Sequence, residues 1–416
     1  MVRADPVAPL KGHKPLEARD QTPEYNVTEL SNGFTVVTES QVFPGPVHMG
    51  FLMKVGTRDE TAETSGACLA LKNTYLKTLK HTNETINYGM IQMSGGKLEM
   101  DYGREFTYFK GNCIEYDVID MFQLLVDVAL EPRSVLAANV AKAKNRKSHD
   151  LYKHLHRYDP SSENHELLLR TAYGYNTLGM PSNGMEGNVE NIDARMLQQF
   201  VMDNVTPSKC YIVASGVKNH KEYVDLVRER LGELLPVPEH QHERQTSEYI
   251  GGEYRTWTES PLTHIHLAFP SVSYNDPDAS AYYVMNQLLG NSDASTPGQG
   301  VLSRAVTNLV KKQPYVHQAS GIHSTFTDSG LFGIQVQGAG SHSQDLMQIA
   351  LEELNKLKNG VSDEELQRAK NQLKMDVLSN LNSQEGRLEE LAHNIAIYGD
   401  LVFHKYTEQI DAVTSD

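Results

Sequence analysis

The chain is short of the residues that build several common kinds of site. Its three cysteines, Cys68, Cys113 and Cys210, lie far apart with no C-x-x-C spacing. That excludes a disulfide framework and fits a reducing compartment in which each thiol is buried. No apolar run approaches the roughly 18 residues of a membrane span, so any membrane association has to come through partners. The N-terminus, MVRADPVAPLKGHKPLEARDQTPEY, lacks the apolar centre of a secretory signal peptide. Residues 1–23 read as an extended arm, from which an organelle presequence could already have been removed. Positive charge is also scarce: 38 Lys and Arg face 53 Asp and Glu, a net charge of −15. Nucleic acid is thereby excluded as the main partner, whereas a basic ligand, or plain solubility, fits.

Catalytic signatures are absent as well. The sequence contains no H-E-x-x-H, H-x-x-E-H or G-x-S-x-G, and no G-x-x-x-x-G-K-[ST] phosphate loop. His149, His154 and His156 fall in a polar stretch, and His240 and His242 in a charged linker. Solvated surface explains both groups better than a metal site.

What is present is a duplicated α+β pattern. The 416 residues, 39% hydrophobic, suffice for two or three domains with large cores. KAKNRKSHDL (142–151) and RAKNQLKMDV (368–377) share Ala-Lys-Asn and a following Asp. Upstream of each, a strand (106–113 or 331–338) leads into a helix (117–130 or 344–358). In the first helix Asp117, Asp120, Gln123 and Asp127 form a narrow polar stripe on an otherwise apolar cylinder, so most of it must be covered. The second carries Leu346, Met347, Ala350, Leu354 and Leu357 at helical spacing, stops at Gly360, and precedes a Ser362-x-x-Glu365 capping box. ENIDARM (190–196) matches EQIDAVT (408–414) more weakly.

Each repeat opens with strands: a hairpin turning at Asn32-Gly33 and then VHMGFLMKVG in the first, YRTWTES and LTHIHLAF in the second. The expected architecture is two tandem domains, each a mainly antiparallel sheet backed by helices. They span 24–233 and 249–416, joined by a Pro-rich linker at 234–248. The first repeat closes with the strand TPSKCYIVASGV, whereas the second stops at Asp416, inside the matching helix. Its last strand is expected to be missing, so that either the chain was trimmed or another chain covers the edge.

One loop remains to be explained. NSDASTPGQGVLSRAVTNLV (291–310) sets Gly298 and Gly300 just before Ser303 and Arg304. It follows a helix-like AYYVMNQLLG rather than a strand, so a nucleotide cradle is disfavoured. It is either a helix connection or a mobile peptide-binding loop in which glycine lets another backbone approach closely.

PGQGVLSRAVTNLV with SGIHSTFTDSGLFGI, and AYGYNTLGMPSNGMEGNVENI, resemble the glycine-loop and N-T-L-G segments of α-type subunits of mitochondrial processing peptidase. VGTRDETAETSGA and MSGGKLEMDYGRE resemble the start of the pitrilysin-like metallopeptidase fold, which the core subunits of respiratory complex III share. Active members place H-x-x-E-H on the helix after ETSG; here the two histidines fall on Leu69 and Asn73, the glutamate on Lys72, and the distal glutamate on Asp150. A catalytic zinc needs about three protein ligands and an open position, which this set does not provide. The resemblance thus implies no catalytic residues, no metal and no cofactor.

It further implies an α/core-2-type subunit of complex III on the matrix side of the mitochondrial inner membrane. Its partners would be a β/core-1-type subunit and other complex III subunits. Gly298, Gly300, Ser303 and Arg304 are the candidate contacts for basic presequence peptides, although the family loop is richer in glycine. The alternative is the recognition subunit of a soluble processing peptidase.

Overall fold

A computed structural model describes residues 23–40, 45–78, 84–130, 161–185, 188, 192–233, 244–257, 259–293 and 302–415. Among these residues two sheets form. The first contains β1 (Tyr25–Glu29), β2 (Thr35–Ser40), β3 (Val47–Met53), β4 (Lys97–Tyr102), β5 (Thr107–Cys113) and β6 (Cys210–Val217), in the order β1-β2-β6-β3-β5-β4. Only β2 and β6 run parallel. The β1–β2 hairpin turns at Asn32-Gly33 as expected, with Gly33 at φ +98°.

Helices in this half are α1 (Ala67–Thr74), α2 (Glu84–Met93), α3 (Val118–Leu130), α4 (Ser161–Tyr173), α5 (Ala194–Asn204) and α6 (His220–Leu231). One face of the first sheet packs on α1, α3, α5 and α6 through a core that includes Phe51, Ala70, Phe122, Leu125, Leu197 and Val227. All three cysteines are buried free thiols, and burial pushes the Cys113 thiol up to about 12. The Asp127 end of the predicted polar stripe is not solvated: its carboxylate is buried and paired with Arg230 of α6.

The second sheet has the order β7-β10-β9-β8, all antiparallel: β7 (Leu262–Ser271), β8 (Asn291–Asp293), β9 (Val316–Thr325) and β10 (Gly330–Ala339). Its helices are α7 (Ala279–Leu289), α8 (Ser343–Leu357), α9 (Asp363–Asn382), α10 (Gln384–Tyr398) and α11 (Tyr406–Ala412). Leu289, Leu309, Ile334, Leu346 and Ala350 fill the core between this sheet, α7, α8 and a short π-helix at Ala305–Val310.

The halves interlock. Helix α10 leaves the second half and lays Leu388, Leu391, Ala392 and Ile395 on Val37, Leu52, Tyr108 and Val213 of the first sheet. Helix α4 does the reverse, packing Leu169, Ala172 and Tyr173 against Phe326 and Leu331. Both helices end in Tyr-Gly with the glycine left-handed, Tyr173-Gly174 at φ +76° and Tyr398-Gly399 at φ +69°. The two exchanged helices thus close with the same Tyr-Gly ending.

Two sequence expectations fail. YRTWTES forms no strand among its described residues; Trp257 is 83% exposed and Tyr254 stacks on Arg170. With no inward apolar row, nothing drives this segment into a ladder. The Ile-Asp-Ala match is also not positional. Asp193 precedes and caps α5, whereas Asp411 lies inside α11, which ends at Ala412. The described chain therefore ends in an extended stretch rather than within a helix. β7 forms one edge of its sheet, on the side where β3 has β6 as a neighbour.

Candidate functional site

The degenerate motif sits on α1. Gly66 starts the helix at φ +97°, and the buried Glu60 carboxylate accepts the Gly66 and Cys68 amides, each at 2.8 Å. These two amides are helix-start donors that would otherwise lack partners. Burial pushes Glu60 up to about 7, against those two hydrogen bonds.

Within α1, Leu69 is buried and offers no donor atom. The Lys72 ammonium lies 3.2 Å from Asp101 and 5.6 Å from the centre of the Tyr102 ring. Asp101 also meets Lys110 at 3.4 Å, and Lys110 reaches Glu389 of α10 at 2.7 Å. Burial raises the Asp101 carboxyl, but the two lysines outweigh it and hold the group below the usual range. A charge ladder thus runs from the motif helix across β4 and β5 to the exchanged helix. Lys72 and Asp101 are about half exposed, so their own bond contributes at most about 1 kcal/mol. An aliphatic group, an ammonium and an amide do not fit a zinc ion, and among the described residues no three His, Cys, Asp or Glu cluster as metal ligands. Asp150, His149, His154, His156, His240 and His242 lie outside the described residues.

Between the halves is a polar cavity of about 500 Å³, lined by Tyr102, Arg104, His165, Glu166, Tyr274 and His323. Glu166 bridges Arg104 at 2.7 Å and the Ser182 amide at 2.9 Å. His165 Nε2 is 3.4 Å from Ser324 Oγ, but burial lowers its pKa and, among the described residues, no carboxylate hydrogen bond orients its other nitrogen. That pair lacks the geometry of an activated nucleophile.

Close by, Arg58 donates to Glu105, Asp328, Ser247 and the Gln245 carbonyl, while Arg244 binds Asp59. The ion cluster joins both halves to the segment between them. Sequence reasoning missed it: the partners are far apart in the chain, and the only local sign is an arginine inside Gly-Thr-Arg-Asp-Glu.

Of the predicted loop residues, Gly298 and Gly300 lie outside the described residues. Ser303 and Arg304 are described, and both are buried. Arg304 donates to Glu365 at 3.1 Å, and Arg368 donates to the Leu302 carbonyl at 3.0 Å. The Arg304 hydrogen bond is the main cause holding Glu365 below the usual carboxylate range. The downstream end of the loop is thus clamped to the first turns of α9. Gly290 makes room for it, since a Cβ there would meet the Ser303 Cβ at 2.3 Å.

Residues 191–373 match the family described as Peptidase M16 inactive domain. The chain is 26% identical to an Arabidopsis thaliana protein named probable mitochondrial-processing peptidase subunit beta, over 91% of this chain and 71% of the relative. It is 25% identical to mitochondrial-processing peptidase subunit alpha of Solanum tuberosum, over 99% of this chain and 81% of that one. The figure is also 25% for complex III core protein I of Euglena gracilis, over 93% and 82%. Its fold matches a chain in complex III2 from Candida albicans with Inz-5 bound, at TM-score 0.79 and 20% identity, covering 94% of this chain and 90% of that one. The resemblance read from the sequence holds, and so does the α+β architecture of antiparallel-dominated sheets backed by helices. Relatives of α and β name match at nearly equal identity, so overall similarity does not separate the two types.

Proposed function

We propose that this chain, a relative of the mitochondrial processing peptidases and complex III core proteins, is a non-catalytic α/core-2-type subunit of complex III. In this reading it scaffolds the matrix side of the mitochondrial inner membrane with a β/core-1-type partner, and its glycine loop binds basic presequences. Residues 24–233 and 249–416 are then two peptidase-like domains joined by 234–248. The observation that carries the non-catalytic part is α1 itself: Leu69 is buried and Lys72 is bound to Asp101 at the positions where the resemblance expects zinc ligands and a general base. Peptidase activity then belongs to the partner. The mitochondrial names of the relatives and the fold shared with a complex III chain support the assembly.

A second reading, the recognition subunit of a soluble processing peptidase, is favoured by the α-subunit relative that aligns with 99% of the chain. Purification of the tagged chain from mitochondria decides between them. A membrane complex with haem absorbance supports the first reading; a soluble heterodimer whose partner carries H-x-x-E-H supports the second and overturns the first.

A further inference from the structure

A second and larger cavity, of about 1100 Å³, opens among α7, α9, α10 and α11. Its lining has two chemically different parts. Glu390 of α10 stands with Asn394 and Tyr406, and Tyr274, Tyr283 and Tyr398 also line the cavity. Leu366, Leu373, Ile410 and Val413 pack together as an aliphatic part of the wall.

Glu390 has no basic partner among the described residues, unlike its neighbour Glu389, which holds Lys110 at 2.7 Å. Asn394 Nδ2 at 3.2 Å and the Tyr406 hydroxyl at 3.3 Å both donate to Oε2. Oε1 accepts no hydrogen bond among the described residues. The amide is itself fixed, since Asn394 Oδ1 accepts the Val402 amide at 2.9 Å and Nδ2 also reaches the Tyr406 hydroxyl at 2.9 Å. The carboxylate is thus held rigidly, with one oxygen committed and one open. Burial holds this carboxyl above the usual range.

A half-buried carboxylate without a counter-ion is costly, and a cation brought to it removes that cost. Tyrosine faces add attraction for a cation but none for an anion. A divalent metal is a poor match, because a single carboxylate stands among phenols and burial drives the Tyr398 phenol up to about 12. The aliphatic part of the wall would sit against an apolar tail rather than a solvated one. The net charge of −15 favours delivery of a cation over any other ligand class.

We propose that the cavity between α7, α9, α10 and α11 is a binding site for an amphipathic organic cation, with a guanidinium or alkylammonium head on Glu390 and its apolar part along Leu366, Leu373 and Ile410. Two sources share that chemistry: a free cationic amphiphile, and a basic side chain flanked by apolar residues in a peptide. The assignment does not depend on the assembly in which the chain works.

Calorimetric titration of the full chain, with whatever partner co-purifies, tests the assignment. Octylguanidinium should bind with 1:1 stoichiometry and at least tenfold more tightly than octylurea, which has nearly the same shape and no charge. Glu390→Gln should abolish that preference while leaving octylurea unaffected. Equal binding of the two probes, no binding, or an unchanged preference in Glu390→Gln overturns the proposal. If the variant does not fold, the charge preference and stoichiometry of the native chain alone decide. A blocked Leu-Leu-Arg-Leu-Leu peptide, compared with octylguanidinium, separates the sources: the tighter of the two identifies the ligand class.

Discussion

Arg58 and Asp328 are 270 residues apart in sequence and 2.7 Å apart in space. Their bond crosses between the two halves, and the same guanidinium also holds Glu105 at 2.5 Å. Arg58 is buried, and Glu105 also accepts the Thr327 amide at 2.9 Å. The halves are therefore joined by charge as well as by the exchange of α4 and α10. A buried charge with its partners removed is more costly than the pair is stabilising.

Arg58→Ala leaves Glu105 and Asp328 without their shared cation. We expect a loss of about 3–5 kcal/mol in urea unfolding. Arg58→Lys should recover less than half of it, because an ammonium cannot make the forked contacts. An acid limb should accompany this. Burial alone would raise the Asp328 carboxyl, but Arg58 and the Ser247 amide hold it below the usual range. Its contribution is present above the unfolded value near 4 and is lost as pH falls through the lower folded value. Unfolding followed from pH 5 to pH 2 should show that limb in the native protein and lack it in Arg58→Ala.

Glu60 should behave in the opposite sense. Burial lifts its carboxyl to about 7, so the folded state holds the proton over a range where the unfolded chain has released it. Its contribution is fully present below the unfolded value near 4.5 and is lost as pH rises to about 7, a change of a few kcal/mol. Glu60→Gln cannot titrate. The difference in stability between native protein and variant should therefore move in the variant's favour between pH 4.5 and 7, and a pH-independent difference would refute the assignment.

The two Tyr-Gly helix ends offer a paired test of the left-handed glycine. Both glycines are left-handed, so alanine should cost about 1 kcal/mol at either. A Cβ on Gly399 meets nothing within 4 Å, whereas one on Gly174 meets Ile250 Cδ1 at 3.3 Å. Gly174→Ala should therefore cost more than Gly399→Ala, and Gly399→Asn should be nearly neutral. Thermal melts of the three variants check the order.

Much of this fold was legible because each element carries its own local signal. The Asn32-Gly33 turn, the apolar rows of β3, β5 and β6, and the Ser362 cap all fold as their sequences specify. Contacts formed between halves carry no such signal. Nothing in the periodicity of α10 says that Leu388 and Leu391 cover the other half's sheet, and nothing near Arg58 points to Asp328. A helical wheel shows Asp127 in a polar stripe but not the arginine on α6 that pairs with it. Trp257 and Tyr254 suggested a strand by residue type, yet β-propensity reflects a surface to pack on, and here none is offered. In the candidate site, the degenerate motif was legible one residue at a time, while the charge ladder and the Glu390 cavity needed tertiary structure.

The glycine loop separates into two testable parts. Arg304 and Arg368 clamp its downstream end to α9, which is a structural task. Gly298 and Gly300 precede that clamp in the sequence and lie outside the described residues. If the loop receives a basic peptide, stiffening it should weaken binding without loosening the fold. Gly298→Ala with Gly300→Ala should lower the affinity for a synthetic presequence at least severalfold in titration, with an unchanged melting temperature and unchanged co-purification of the partner. Arg304→Ala should do the reverse first: it strands the partly buried Glu365 and should cost about 1–3 kcal/mol of stability. Affinity unchanged in the double glycine variant would leave the loop as a connector. Affinity lost in step with stability in Arg304→Ala alone would assign the binding effect to the clamp rather than to the glycines.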